Sequence, residues 1–139
     1  MSLTNTVDQN ESTPFHVTHE TVVAVDLAIL ASYDEAQEEG EPDFVVELID
    51  LYLDEAPRIF NAIHEGLTNN DWLSAKRAAH SLRGSSNNLG ILQMGVIADE
   101  LEHLTTNHQV AGAELLQCLK NEFTRVEEIL LAERLRRLS

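Results

Sequence analysis

A single cysteine, Cys118, stands among 139 residues, so no internal disulfide can form. Its place in an apolar helical pattern predicts a buried thiol, which suits a reducing compartment and gives the cytoplasm as the expected location. Lysine and arginine are missing from residues 1–57 altogether. The opening Met1 to Pro14 is polar, with two acidic residues and no basic ones, unlike a signal or transit peptide. No apolar run approaches the roughly 20 residues that a membrane-spanning helix needs. Strict apolar–polar alternation is absent, as is any internal repeat, which removes β architectures and solenoids. Neither Gly84 to Gly90 nor Gly90 to Gly95 is followed by Gly-Lys-Ser/Thr, and no kinase glycine-rich loop is present, so the chain has no equipment of its own for using ATP.

The net charge of −15 would repel a phosphate backbone and argues against nucleic acid or an anionic membrane as partner. Against that acidic background Lys76, Arg77 and Arg83 gather on one short stretch. A local basic spot of this kind fits a small anionic group, although Arg77 is read as a solvated surface residue.

At 139 residues and 43% apolar content the chain supports one domain with a real core. Residues 1–18, rich in Thr, Asn, Ser and Glu without periodicity, are expected to form a disordered arm, and residues 19–139 the folded domain. A short helix is predicted from Glu20 or Asp26 to Glu38, ending at Gly40 and Pro42. Asp43 then caps a long helix reaching about Asn69, with Val45, Ile49, Tyr52, Ala56, Ile59, Ile63 and Leu67 on its inner face. Pro57 removes a donor to the Leu53 carbonyl and predicts a kink or break. Asn70 and Asp71 turn the chain into a helix that Gly90 stops. Further helices are expected over about Leu92 to Thr105 and Val110 to Leu138, with Arg134, Arg136 and Arg137 opposing the dipole at the end of the last. The predicted fold is all-α: an up-down-up-down antiparallel four-helix bundle with a short extra N-terminal helix.

One residue stands apart from this packing pattern. Trp72, Ala75, Ala79, Leu82, Ser86 and Leu89 form the inner stripe of the third long-range element, and His80 projects roughly 130° from its centre, among Lys76, Arg83, Gly84 and Asn87. Helix packing does not ask for a histidine there. Gly84, one turn later, sits where any side chain would shade the ring, and a glycine inside a helix costs about 1 kcal/mol against alanine. Arg83 and Lys76 hold positive charge at helical spacing from the ring. A neutral imidazole offers one nitrogen lone pair for attack on phosphorus, and the flanking cations would stabilise the phosphorylated product.

The run His80-Ser81-Leu82-Arg83-Gly84-Ser85-Ser86, followed by Leu89-Gly90, resembles the signature of histidine-containing phosphotransfer (HPt) domains, and the similarity extends more loosely over about residues 26–130. The usual lysine of that signature is Arg83 here, which keeps the charge but changes its geometry. The resemblance implies a phosphocarrier without ATP-dependent kinase activity, with His80 as phosphoacceptor through Nε2, Arg83 supplying phosphoryl electrostatics and Gly84 clearance. It further implies receiver domains of response regulators or hybrid sensor histidine kinases as partners, Mg²⁺ brought by the receiver, no cofactor of the chain's own, and a monomer sufficient for the chemistry. Lys76, Asn87 and Glu102 are possible supporting residues. Asn87 could meet the phosphoryl group or water. Glu102 could orient the imidazole from the next helix, although a solvated carboxylate is the preferred reading, and Ser86 is assigned to packing. Leu53, Pro57, Phe60 and the first helix are candidates for a docking face, with a core role preferred for each of the three residues.

Two other classes compete. Glu100 and His103 form one Glu-x-x-His motif, whereas di-metal bundles use two on facing helices, so a metal-binding bundle is disfavoured. A non-catalytic helical interaction module would need neither His80 nor its clearance glycine.

Overall fold

A computed structural model describes residues 22–139; the expected arm over residues 1–18, and a helix start at Glu20, lie outside them. Helix α1 spans Leu27–Ala31, capped by the Asp26 carboxylate on the Ala28 amide at 3.0 Å, and continues as a 3-10 turn over Ser32–Ala36. It ends earlier than expected because two side chains turn back on the backbone. The Ser32 hydroxyl donates to the Ile29 carbonyl at 2.6 Å, and the Gln37 carboxamide accepts from the Phe44 amide at 2.6 Å while donating to the Pro42 carbonyl at 2.9 Å. Gln37 thus pins the loop between the turn and the next helix.

Helix α2 runs over Phe44–Thr68 with the Asp43 carboxylate accepting from the Val45 and Val46 amides. It passes through Pro57 without the break the sequence allowed. Pro57 is exposed, while Tyr52, Ala56, Phe60 and Ile63 hold the inner face in the core. Helix α3 covers Trp72–Asn88, capped by Asp71 on the Ser74 amide. Both ends of this hairpin use the same stop. The Ile91 amide reaches the Ser86 carbonyl and the Gly90 amide that of Asn87, with Gly90 at φ +80°; the Asp71 amide reaches the Gly66 carbonyl, with Asn70 at φ +58°. Each is a Schellman closure that needs one left-handed residue.

Helix α4, Leu92–Glu102, stops short of the expected Thr105. The His103 ring and amide both donate to the Asp99 carbonyl, at 2.8 and 3.1 Å, and the Leu104 amide turns to the Leu101 carbonyl at 3.3 Å, so the last turn tightens and closes there. Helix α5, His108–Leu138, starts two residues before the expected Val110; the His108 ring stacks on Trp72 at 4.2 Å between centroids and anchors its first turn.

Helices α2, α3, α4 and α5 pack in sequence order and α2 closes against α5, around a core that includes Tyr52, Ile63, Leu82, Met94, Leu101, Leu119 and Leu130. α1 covers one end, where the Asp26 amide meets the Gly90 carbonyl at 2.7 Å. Arg137, only 9% exposed, ties the end of α5 to Asp34 of the 3-10 turn and to the α2 cap Asp43, and Arg134 pairs with Asp50. These arginines therefore join elements as well as opposing the α5 dipole. Cys118 is half-buried rather than fully enclosed; burial, with Glu100 and Glu114 nearby, pushes its thiol pKa up. No helix among the described residues is long and apolar enough to cross a membrane.

Candidate functional site

Helix α3 places Ala75, Ala79, Leu82 and Ser86 in the core, and the same periodicity turns His80 outward, its side chain 62% exposed. Its ring is not free on both sides. Nδ1 lies 2.7 Å from Oε2 of Glu102 at the end of α4, and the Glu102 side chain is only 10% exposed. The solvated reading of Glu102 is therefore wrong: the α3–α4 contact folds this carboxylate under the imidazole. The Nε group of Arg83 donates to the other oxygen, Oε1, at 2.9 Å.

Burial pushes the Glu102 carboxyl pKa up, but the hydrogen bonds from Arg83 and His80 outweigh it and the net direction is down. Glu102 is thus an anion at neutral pH. A carboxylate only accepts, so the 2.7 Å contact requires the proton on Nδ1 and leaves the lone pair on Nε2. Arg83 Nη2 also stands 3.1 Å from Nδ1. With the proton there, that approach is a donor beside a donor; it places the guanidinium against the ring without bonding to it.

Gly84 is exposed, and a Cβ built on it would have no neighbour within 4 Å. Internal packing therefore gives no reason for the glycine. Lys76 is exposed on the same helix. Asn87 is exposed, in keeping with the solvated one of its two readings, and its carboxamide also lies against Gly95 of α4, where a Cβ would overlap it. Ser86 does more than fill space, since its hydroxyl shares a buried 2.8 Å hydrogen bond with the Tyr52 phenol, a partnership the helical stripe did not reveal.

Of the docking candidates, Phe60 is core and packs edge-on against Phe123 at 5.5 Å, Leu53 is half-buried and Pro57 is exposed. Nearer the end of α3, Tyr33, Leu48, Leu51, Glu55, Ser85 and Asn88 line an apolar groove of about 200 Å³, with Leu51 exposed on its rim.

The metal alternative fares differently from its motif. Glu100 lies near Cys118. Asp99, Glu102 and His103 do bring ligand atoms within 4.8 Å of one another, but Glu102 is already held by Arg83 and His80, so a cation would have to displace both.

The profile of the Hpt domain matches residues 47–129. The chain belongs to the Hpt domain family. In Arabidopsis thaliana, histidine-containing phosphotransfer protein 5 is 35% identical over 57 residues, 39% of this chain and 36% of that relative; the chain thus matches about a third of that protein's length. The crystal structure of histidine-containing phosphotransfer protein B from Pseudomonas aeruginosa PAO1 superposes with a TM-score of 0.71 at 28% identity, covering 81% of this chain and 96% of the other. His80 lies within the matched residues, on the outer face of α3.

Proposed function

We propose that this Hpt domain is a cytoplasmic phosphocarrier of a two-component phosphorelay, accepting a phosphoryl group on His80 from the aspartyl phosphate of one receiver domain and passing it to the aspartate of another. The observation that carries the reading is the contact of His80 Nδ1 with the Glu102 carboxylate, which leaves Nε2 as an outward-facing nucleophile.

The chemistry balances without a base. The Nε2 lone pair attacks phosphorus, the bond from phosphorus to the aspartyl oxygen breaks, and the aspartate leaves as a carboxylate. The ring retains its Nδ1 proton and becomes a phosphorylated imidazolium, whose positive charge faces Glu102. Transfer onward is the reverse step on a second aspartate. Arg83 and Lys76 supply positive charge for the phosphoryl oxygens, Gly84 leaves room for the receiver surface, and the groove beside Leu51 and Ser85 offers apolar contact. Mg²⁺ comes with the receiver's acidic pocket, and one copy of the chain suffices.

His80→Gln tests the assignment. It should leave the helical circular dichroism spectrum intact and take no label from phosphorylated receivers. A folded variant that still becomes labelled would move the phosphoacceptor elsewhere.

A further inference from the structure

Arg83 is held from one side by two carboxylates of α4. Glu102 grips Nε tightly at 2.9 Å and is itself bound to His80, whereas Asp99 Oδ1 stands 3.6 Å from the same nitrogen and is 53% exposed. The Asp99 carboxylate also lies 3.2 Å from His103 Nδ1, whose proton takes the shorter contact with the Asp99 carbonyl. A guanidinium that turns toward a phosphoryl group on Nε2 must leave its looser partner first. Glu102 holds Nε at the shorter distance and with the less exposed carboxylate, so Asp99, the longer and more exposed contact, is the partner that yields to the phosphoryl group.

We propose that Asp99 is a positioning residue that sets the lifetime of phosphorylated His80 by drawing Arg83 away from the phosphoryl group. This rests on the phosphocarrier reading above. With Asp99 in place, part of the Arg83 charge is spent on α4 and the phosphorylated ring remains a ready donor. Neutralising Asp99 frees the guanidinium to bind the phosphoryl oxygens, and loss of the group slows. In this loss, water attacks phosphorus, the P–Nε2 bond breaks with its electron pair returning to Nε2, and dihydrogen phosphate leaves while the ring keeps its Nδ1 proton.

The test uses the full chain phosphorylated with potassium phosphoramidate, followed by ³¹P NMR as the phosphohistidine signal decays. Label on the wild-type chain but not on His80→Gln establishes the site first; its failure would strike the phosphocarrier reading, not the role of Asp99. Asp99→Asn should then lengthen the half-life about two- to fivefold, the range of a partly exposed ion pair, and Asp99→Glu should restore it. In an Arg83→Gln background Asp99→Asn should change nothing. An unchanged half-life in Asp99→Asn, or an equal lengthening with and without Arg83, would overturn the proposal, the second outcome assigning the effect to direct repulsion between Asp99 and the phosphoryl group.

Discussion

The phenol of Tyr52 on α2 and the hydroxyl of Ser86 on α3 meet at 2.8 Å inside the core, one turn and a half beyond His80 along the same helix. Burial pushes the Tyr52 pKa up, only partly offset by that hydrogen bond, so the phenol stays protonated and keeps a donor for Ser86. Ser86→Ala leaves a buried hydroxyl without its partner and should destabilise the bundle by about 1–3 kcal/mol, whereas Ser86→Ala with Tyr52→Phe should recover much of that loss. Urea unfolding of the single and double variants measures the difference.

The buried carboxylate under the ring yields a prediction specific to nitrogen chemistry. In Glu102→Ala the tautomer is no longer fixed, and ¹⁵N shifts of His80 should change from a single Nδ1–H form to a mixture. Phosphotransfer from a receiver should fall about 10- to 150-fold, corresponding to the 1.5–3 kcal/mol of a hydrogen bond to a charged group. A normal rate in a folded Glu102→Ala variant would remove Glu102 from the site.

Gly84 should separate stability from function. Its surroundings are open, so Gly84→Gln should raise the melting temperature, a glycine being about 0.8–1 kcal/mol worse than good helix formers. Transfer from receiver domains should slow severalfold, while labelling by phosphoramidate, which is small, should be unchanged. Equal rates with receivers would assign the glycine to some cause other than clearance.

Glu100 gives the pH dependence. Burial, with Asp99 adding to it, pushes its pKa up to about 7. The fold therefore prefers the protonated acid: the stabilising contribution is complete below the unfolded value near 4.3 and disappears as pH rises through about 7. Glu100→Gln should accordingly stabilise the protein at pH 8 by about 1 kcal/mol after allowance for solvent screening, and make little difference at pH 4. Thermal melts at the two pH values compare the variants.

Helix type and facing were legible in the sequence wherever apolar spacing was regular. The α2 stripe from Val45 to Leu67 is buried except at Ile59, which is half-buried; Phe60 takes the deeper place because the helix rotates its large ring toward Phe123. The ends were less legible, since they depend on side chains reaching back to backbone, as Ser32, Gln37 and His103 do. His80 was visible as an exception to its own helix. Glu102 was visible only as a residue at the right level, because sequence spacing on one helix cannot show whether a carboxylate on another is wet or folded beneath a neighbour. Asn87 is exposed as one of its two readings had it, but its proximity to Gly95 across the hairpin was hidden for the same reason.

The most direct measurement is transfer itself. The wild-type chain is mixed with isotopically phosphorylated receiver domains and Mg²⁺, the label is mapped by peptide, and a second unlabelled receiver is then added. The account predicts acid-labile, base-stable label on His80 that moves on to the second receiver. Label that never reaches a folded chain from any receiver, or that reaches a residue other than His80, would contradict it.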